Sequence, residues 1–311
     1  MATMNLKQQF LDYIVTERLF SKKDHLLIAV SGGLDSVVLA SLCSACGYQF
    51  SIAHCNFQLR AEESERDEAF VSELARSYSV PVFIKKFDTE RYAAENKLSI
   101  QVAARHLRYA WFNQLVDGDW SIPSSASNDI ITGGKVADFL LTAHQADDNI
   151  ETSVMNFFKG TGISGIRGMR PGQGKICRPM LFARRNDLEQ YARENHLQWV
   201  EDSSNNSEKY SRNKFRHSIL PMVQETYPMA ADNILSNIER FREVEILYRE
   251  RITAILSRLV QKNGDELKIP VLRLKQFPAK ATVCYEIIKG YHFTAAQTKA
   301  VLELLDAETG K

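Results

Sequence analysis

The 311-residue sequence has few cysteines, no long hydrophobic run and almost no net charge. No apolar stretch approaches the roughly 20 residues that a membrane span needs, and the N-terminus has no secretory signal pattern. The five cysteines lack the spacing of a disulfide framework, so we expect reduced thiols in a cytoplasmic protein. Because the formal net charge is only +1, any binding of nucleic acid must rest on local clusters of charge.

Acidic residues are missing from one long segment. From Thr152 through Asn186 there is no Asp or Glu, whereas Lys, Arg and Gly recur, and a second basic cluster follows. Basic clusters can bind a polyanion even in a near-neutral protein, and the length of this run favours nucleic acid over an ordinary solvated surface. The candidate contacts are Lys159, Arg167, Arg170, Arg178, Lys209, Arg212, Lys214 and Arg216.

A glycine pair between an apolar strand and an apolar helix is the most informative local pattern. His25–Val30 predicts a buried strand, Val37–Ala45 predicts a buried helix, and the turn Ser31–Ser36 (SGGLDS) joins them. Backbone N–H groups at such a turn can bind phosphate, helped by the helix N-terminus. A carboxylate beside phosphate requires a bridging cation, so Asp35 adds Mg²⁺ to the prediction. A tight serine-capped turn is the alternative, and the coincidence of these residue types favours the phosphate site.

Apolar strands alternate with helices through the first half of the chain. Further strands are predicted at Phe50–Cys55, Val80–Phe83 and Phe139–Ala143, with a surface insertion at Asp117–Ala137. This alternation predicts an α/β fold with a parallel, doubly wound sheet. Ligands bind beyond the carboxyl ends of such strands, so the polar turns that follow three of the strands should converge on one cleft. A long connecting helix is predicted at Ala230–Val260, followed by a small mixed α/β domain.

The turn SGGLDS resembles the PP-loop of the N-type ATP pyrophosphatases, which bind ATP, release pyrophosphate and leave an adenylated substrate. Three other stretches narrow the resemblance to the tRNA(Ile)-lysidine synthetase family. The stretches His54–Glu68 (HCNFQLRAEESERDE), Leu141–Met169 and Glu201–Pro221 resemble the family motifs HxNHxLRGxxSxxDE, TAHHxDDQxET…GTGxxGxxGM and EDxSN…RNxxRxxxLP, in the same order and spacing. The resemblance covers nearly all of Leu26–Pro221 and extends more loosely to the later helix and small domain.

This resemblance implies the ligation of L-lysine to the wobble cytidine of the isoleucine tRNA with a CAU anticodon. ATP would adenylate the cytosine carbonyl oxygen and release pyrophosphate, and the ε-amine of free lysine would then displace AMP to form lysidine. The implied cofactors are ATP and Mg²⁺, and the implied partners are this tRNA and lysine, with no membrane partner. A homodimer stays an open alternative to a monomer.

The resemblance also implies domains and residue roles. Residues 1–221 would form the PP-loop catalytic domain, and residues 222–311 the connecting helix and small C-terminal domain. The implied catalytic group is Asp35, Asp148, Arg105 and Arg212, of which Asp35 and Asp148 hold the metal. ATP contacts fall on Ser31, Gly32, Gly33, Leu34, Asp35, Ser36, His54 and Asn56, lysine contacts on Glu151 and His144, and a further tRNA contact on Arg60.

Several of these residues have structural alternatives. Asp148 could complement a helix dipole, and Glu151 could be a capping-box residue that reaches back to Asp148. His54 could be a satisfied buried histidine, and Arg105 could form a structural ion pair.

The sequence departs from the family pattern at four positions. Phe57 and Ala61 stand where His and Gly are more common, and Gln145 replaces the second His of AHH. Gln101 replaces a usual acid, which leaves Arg105 without its expected partner. Many members carry a further C-terminal domain that helps grip tRNA. We expect it to be absent or trimmed here, because the sequence stops at Lys311.

Two rival functions remain. Cys43 and Cys46 raise the possibility of a tRNA cytidine thiolase with a cysteine-bound iron–sulfur cluster, but both lie on the predicted buried side of a helix, where cysteine is usually a small apolar residue. The other rival is a non-catalytic tRNA-binding homologue, which the intact Ser31, Asp35 and Asp148 argue against.

Overall fold

The computed structural model describes residues 5–118, 120–123, 130–201, 211–264 and 266–307. These residues form two compact units that part between Leu235 and Ser236. The boundary expected from the sequence, between residues 221 and 222, stays a prediction. Among the described residues, no helix is both long and apolar enough to span a membrane.

The first unit is built on a central sheet with flanking helices. Its strands are β1 (His25–Ala29), β2 (Gln49–Asn56), β3 (Val82–Lys86), β4 (Trp120–Pro123), β5 (Ile130–Gly133), β6 (Phe139–Leu141), β7 (Gly172–Gln173) and β8 (Ile176–Cys177). Its helices are α1 (Leu6–Thr16), α2 (Leu34–Ala45), α3 (Glu62–Ser77), α4 (Thr89–Glu95), α5 (Ile100–Asp117), α6 (Ala146–Phe158), α7 (Ile163–Ile166), α8 (Arg185–Glu194), α9 (Ser211–Lys214) and α10 (Leu220–Thr226), with a π-helical turn at Phe215–Ile219. The long helix α11 (Ala230–Leu259) begins in this unit.

The sheet confirms the expected α/β architecture. Its strand order is β3-β2-β1-β6-β8-β7, and every neighbouring pair is parallel except β8 and β7. The chain moves from β1 outward to β2 and β3, then returns to place β6 on the other side of β1. The strand order therefore reverses at β1, and such a switch point opens a crevice at the carboxyl ends of the strands.

Alternate residues of the central strand serve two separate cores. Leu26 and Ile28 pack in a cluster with side chains of α1, α2 and α8, whereas Leu27 packs with Trp111 and Leu115 of α5 on the opposite face. This follows from the two-residue repeat of a strand, which sends successive side chains to opposite faces. With both faces covered by helices, the polar turns at the strand ends are the part of the sheet open to a ligand.

Most predicted elements are confirmed with ends shifted by up to three residues, and two regions differ more. The strand expected at Val80–Phe83 lies at Val82–Lys86, and the insertion at 117–137 includes an antiparallel hairpin of β4 and β5. The two-residue strands β7 and β8 were not predicted, because they are too short to show a repeat. The single strand expected at Leu267–Leu272 is wrong in its second half, where Pro270 caps a helix instead.

The second unit has a core of its own. It contains the later part of α11, the antiparallel strands β9 (Gln261–Asn263) and β10 (Glu266–Lys268), and the helices α12 (Val271–Lys275), α13 (Lys280–Ile288) and α14 (Gln297–Glu303). Ile252, Leu259, Leu274, Val283 and Ile287 form its buried cluster. The long helix and the small mixed domain expected from the sequence are both present.

Candidate functional site

Three strand ends meet at one cleft. The residues that follow β1, the last residues of β2 and the turn after β6 line a cavity of about 670 Å³. This volume suits a small-molecule ligand, since such sites typically occupy about 300–1,000 Å³. The convergence expected from the sequence is therefore confirmed. The predicted residues that line the cleft are Ser31, Gly33, Leu34, Asp35, Ser36, His54, Asn56, Arg60, His144, Asp148 and Arg212.

The Ser31–Ser36 turn has the geometry of an anion site. Gly32 has φ +93°, and a Cβ there would lie 3.4 Å from the Phe70 ring, so glycine suits both the backbone and the space. The Ser36 hydroxyl donates to the Gly33 carbonyl at 2.9 Å and accepts from the Ser31 N–H at 3.2 Å. Helix α2 begins directly after Gly33, so its free N–H groups face the turn.

Asp35 and Asp148 face the same part of the cleft. The pKa of Asp35 is raised to about 6, chiefly by burial, against the attraction of Arg185 and with a contribution from the nearby Asp148. The Arg185 guanidinium lies 2.9 Å from the Asp35 carboxylate, and Arg216 lies 3.1 Å from that of Asp148. Two neighbouring carboxylates in a partly buried site favour a cation close to both. In this structure the guanidinium groups of Arg185 and Arg216 supply the positive charge.

Glu151 is the most buried charged group of the site. Its side chain is 1% exposed and accepts from Arg212 Nε at 2.8 Å, from Arg216 Nε at 2.5 Å and from Arg216 Nη2 at 3.1 Å. The capping role considered for Glu151 is wrong, because Asp148 forms the capping box of α6 with Gln145. Glu151 instead binds the guanidinium groups of Arg212 and Arg216. Their positive charges balance its buried negative charge.

A short helix and the π-helical turn that follows it carry those two arginines. Arg212 lies in α9 and Arg216 in the π turn at Phe215–Ile219, which runs directly into α10. Pro221 lacks an N–H and in a regular helix would clash with the carbonyl of His217, so a wider turn before it relieves the conflict. The outcome is that both guanidinium groups reach the same buried carboxylate.

The two histidines of the cleft are both neutral at pH 7. Burial lowers the pKa of His144 to about 4, although Asp148 opposes this shift, and its Nδ1 lies 3.0 Å from the Thr142 hydroxyl. Burial also lowers the pKa of His54, whose Nδ1 is 2.9 Å from the Val30 carbonyl. His54 is thus a satisfied buried histidine that also lines the cleft, as the sequence alternative allowed.

Asn56 and Arg60 organise the loop beside the cleft. The Asn56 amide donates to Glu68 at 2.8 Å and its oxygen accepts from the Gln58 N–H at 3.0 Å. Arg60 pairs with Glu63 at 3.3 Å and approaches Asp67 at 3.9 Å. Both residues therefore have protein partners, and their predicted roles towards ATP and tRNA stay predictions.

Arg105 lies beside the cleft rather than in its lining. Its guanidinium stacks over the ring of Tyr109 at 4.9 Å from the centroid, and Tyr109 itself lines the cleft. No carboxylate in the described part of the chain forms an ion pair with Arg105, and Gln101 is exposed on the same helix. The catalytic role expected for Arg105 stays a prediction.

The predicted basic residues separate into distinct groups. The surface position expected for Arg178 is wrong: it is 7% exposed and donates to the Arg170 carbonyl at 2.8 Å. Burial lowers its pKa, and the neighbouring Tyr109 opposes this shift. Lys209 lies outside the described residues, and Arg212 and Arg216 bind the site carboxylates. The residues that keep exposed or partly exposed positions are Lys159, Arg167, Arg170 and Lys214.

Several residues of the site were missed by the sequence analysis. Arg185 bonds Asp35, and Arg184 pairs with Asp147 at 2.8 Å. The Val200 N–H donates to the Gly32 carbonyl at 2.9 Å, which places the segment after α8 over the Ser31–Ser36 turn. The one sequence signal for this contact is that Val200 directly precedes the Glu201–Pro221 motif.

Comparison with known proteins agrees with this geometry. The PP-loop domain family matches residues 2–123 and 126–223, and the TilS substrate binding domain family matches residues 261–311. The tRNA(Ile)-lysidine synthase of Bacteroides thetaiotaomicron is 35% identical over 98% of this chain and 67% of its own length. That of Chlorobaculum tepidum is 30% identical over 98% of this chain and 90% of its own length.

The chain belongs to the tRNA(Ile)-lysidine synthase family. It spans 64% of the related synthase of Parabacteroides distasonis, to which it is 38% identical. A solved structure of the U34-tRNA thiolase NcsA from Methanococcus maripaludis, with its [4Fe-4S] cluster, matches with a TM-score of 0.55 over 76% of this chain and 78% of that chain. At 15% identity, the match to NcsA shows a shared fold only.

Positions that depart from the lysidine synthase pattern have local explanations. Ala61 has φ +40° and ψ −110°, a conformation that strains any residue with a Cβ and explains why glycine is more common there. Gln145 replaces a histidine and caps α6 by accepting from the Asp147 N–H at 2.7 Å. Phe57 stacks on Phe87 with ring centroids 5.7 Å apart.

The cysteines do not resemble a cluster site. Cys43 is fully buried in the core, and burial raises the pKa of its thiol far above the usual range. All five cysteines are free, and within the described ranges no three His, Cys, Asp or Glu side chains are grouped so that they could hold a metal ion. The thiolase alternative therefore has no ligand set among these residues.

Proposed function

We propose that this chain ligates L-lysine to the wobble cytidine of the isoleucine tRNA with a CAU anticodon, converting ATP to AMP and pyrophosphate. The observation that supports this most directly is the meeting of the phosphate-type turn, the Asp35–Asp148 pair and the Glu151–Arg212–Arg216 cluster at one switch point. Family membership and the match to a substrate-binding domain add to it. A substrate as large as tRNA and a set of reduced cysteines fit a cytoplasmic location.

The pyrophosphate part of ATP would bind at the Ser31–Ser36 turn. The N–H groups at the start of α2 and the hydroxyl of Ser31 can donate to phosphate oxygens, and the Ser36 hydroxyl would do so by releasing the Gly33 carbonyl. His54 and Asn56 lie further along the same cleft, where a nucleoside would extend. Substrate phosphates would compete with Asp35 for Arg185, which is half exposed and also pairs with Glu189 at 3.1 Å.

The Asp35–Asp148 pair has the chemistry to hold Mg²⁺. This ion is commonly bound by one or two carboxylates together with substrate phosphates, so two aspartates beside a phosphate site are sufficient ligands from the protein. The raised pKa of Asp35 fits an ionised carboxylate that lacks full compensation until a cation arrives. Bound Mg²⁺ would offset the negative charge of the transferring phosphate.

Lysine would occupy a second cavity on the other side of Asp35 and Arg185. This cavity has a volume of about 350 Å³ and combines the carboxylates of Asp147 and Glu151 with apolar walls from Ile150, Leu220 and Ile234. An ammonium group suits the carboxylates, a methylene chain suits the apolar walls, and the Arg184 guanidinium suits the lysine carboxylate. Because this cavity and the larger cleft share Asp35, an amine in one could reach a base adenylated in the other.

The chain's own groups would then support two successive displacements. Arg212 and Arg216, held by Glu151, place positive charge where the α-phosphate and the adenylated oxygen become more negative. His144 stays neutral at pH 7 and can accept a hydrogen bond from the incoming amine. Arg105 and Tyr109 border the region where the cytosine ring would enter.

The test is incorporation of labelled lysine into tRNA. Purified protein with ATP and Mg²⁺ should label an isoleucine tRNA transcript with a CAU anticodon, and should not label the same transcript with uridine at the wobble position. The Asp35→Ala variant should remain folded and lose turnover. Labelling that requires no ATP, or equal labelling by the Asp35→Ala variant, would contradict the proposal.

The same purified protein distinguishes the proposed ligase from a non-catalytic tRNA-binding protein. A binding protein would retain the transcript but show no tRNA-dependent exchange of pyrophosphate into ATP. A thiolase would label the transcript with sulfur rather than lysine.

A further inference from the structure

The C-terminal end of α6 carries an unusual group of exposed aromatic rings. Phe157 and Phe158 are 67% and 70% exposed. The Phe158 ring lies 5.8 Å from that of Phe157 and 5.8 Å from that of Phe215 in the π turn. Phe215 is partly buried, so it backs the two exposed rings. Neighbouring large apolar side chains in solvent commonly mark an interaction surface, unlike single exposed residues. We call these three residues the aromatic cluster.

The aromatic cluster continues the face of α6 that begins with the site carboxylates. Phe158 follows Glu151 by seven residues, which places it on the same face, about 10 Å further along the helix axis. Phe215 directly precedes Arg216, which binds Glu151. The cluster is therefore an extension of the candidate site, reached from the Glu151–Arg212–Arg216 group by two turns of helix.

Positive charge borders the rings. The exposed Lys159 follows Phe158, and the exposed Lys214 precedes Phe215. No Asp or Glu occurs from Thr152 through Asn186, so the sequence around the α6 end of the cluster offers no acidic side chain. An occupant that suits this surface has a flat apolar face and a negatively charged backbone, which describes an unpaired nucleotide.

We propose that Phe157, Phe158 and Phe215 form a stacking platform for unpaired bases of an RNA loop. These would be bases that flank the one held in the cleft, because a base under chemical attack must leave its stack and its neighbours lose a stacking partner. Stacking on aromatic rings tolerates any base, so the platform contributes affinity and position rather than sequence selection. This inference rests on the proposed function and adds a contact surface to it.

The test uses an RNA stem–loop with a CAU anticodon and 2-aminopurine next to the wobble cytidine. Affinity and 2-aminopurine fluorescence are measured for the wild type, Phe158→Leu and Phe158→Trp. Leucine keeps an apolar side chain but lacks a π face, so Phe158→Leu should weaken binding by about fivefold or more and reduce the fluorescence change. Phe158→Trp should keep both. The control Val15→Ala changes an exposed apolar residue of α1 and should alter neither.

Salt dependence separates stacking from charge. Phe158→Leu should lower affinity at every salt concentration without changing the slope of affinity against salt, because it removes no phosphate contact. Unchanged affinity and fluorescence in Phe158→Leu would overturn the platform. A wild-type protein that self-associates through these rings, with self-association lost and RNA binding unchanged in Phe158→Leu, would assign the cluster to a second copy of the chain and also overturn it.

Failure of the platform and of the proposed function differ in outcome. If the wild type labels tRNA with lysine but Phe158→Leu binds the stem–loop normally, only the platform is wrong. If the wild type neither binds the stem–loop nor labels tRNA, both are wrong. Because Phe158 is mostly in solvent, the thermal unfolding midpoint of each variant should match the wild type and so exclude misfolding.

Discussion

The Asp35→Asn variant should be inactive and yet more stable than the wild type at neutral pH. Burial raises the pKa of Asp35 to about 6, although Arg185 opposes the shift from 2.9 Å away, and Asp148 adds to it. Asparagine has nearly the same size as a protonated aspartic acid but carries no charge to desolvate. The variant should therefore remove an electrostatic cost that the wild type retains for its function.

The sign and size of this effect follow from proton binding. The native carboxyl keeps its proton up to about pH 6, whereas an unfolded aspartate releases it near 3.8. Between these values the native state binds more protons, so the free energy of unfolding falls as pH rises. Each pKa unit corresponds to about 1.36 kcal/mol, so by pH 7 the wild type has lost roughly 3 kcal/mol that Asp35→Asn retains.

Urea unfolding followed by tryptophan fluorescence measures the difference. The three tryptophans of the sequence all precede Leu235, so the signal reports on the first unit. Without nucleotide or divalent cation, Asp35→Asn should be about 3 kcal/mol more stable than the wild type at pH 7 and equal to it near pH 4.

A matched variant should show the opposite sign. The bond from Lys135 at 2.6 Å, together with the His25 N–H, lowers the pKa of Asp138. Asp138→Asn should therefore be less stable than the wild type at pH 7, with a difference that shrinks as pH falls through the range in which aspartate is protonated. An Asp35→Asn variant no more stable than the wild type at pH 7, or equally stabilised at pH 4, would refute burial as the cause of the shift.

Three further predictions concern the site and its surroundings. Glu151→Gln should raise KM for lysine about tenfold and leave KM for ATP nearly unchanged, since an amide cannot replace a carboxylate facing an ammonium; an unaltered lysine KM would leave Glu151 only its role of holding Arg212 and Arg216. The triple variant Lys159→Ala, Arg170→Ala and Lys214→Ala should weaken the binding of all tRNAs alike and reduce the slope of affinity against salt concentration by about 2. The control variant Lys23→Ala, Arg76→Ala and Lys97→Ala should change neither, and equal slopes for the two variants would contradict a tRNA-facing surface. Ala61→Gly should raise the free energy of unfolding by about 1 kcal/mol through relief of the φ +40° strain, and Ala110→Gly within α5 should lower it by a similar amount; a loss of stability in both would show that Ala61 is unstrained.

The central sheet and its cleft were predictable because their signals are local and repeated. Each parallel strand is a short apolar run that ends in a polar turn, and the rule for parallel sheets places all such turns at one edge. Ser31–Ser36, His54 and His144 could thus be brought together without knowledge of any contact. The strands β7 and β8 carry no such signal, since two residues cannot show a repeat, and β8 forms by pairing with β6 while β7 forms by pairing with β8.

The sequence was a poorer guide to which basic residues are exposed and which are paired with acids. The acid-free segment indicated a positive surface, but its local composition says nothing about acids contributed by distant segments. Arg185 pairs with Asp35 across 150 positions, Arg184 pairs with Asp147 from the preceding motif, and Arg178 is buried against a backbone carbonyl. The second basic cluster is also paired with a distant acid, because Arg212 and Arg216 form ion pairs with Glu151.

These pairings change what the basic residues can do. An arginine that is paired with a site carboxylate would be pre-positioned for a transferring phosphate, and we expect it to act by orientation more than by general attraction of a polyanion. Lys159, Arg170 and Lys214 keep exposed positions, so general attraction of tRNA should fall mainly to them. A substitution of Arg212 should accordingly reduce turnover much more than tRNA affinity, whereas a substitution of Lys214, two residues later, should do the reverse.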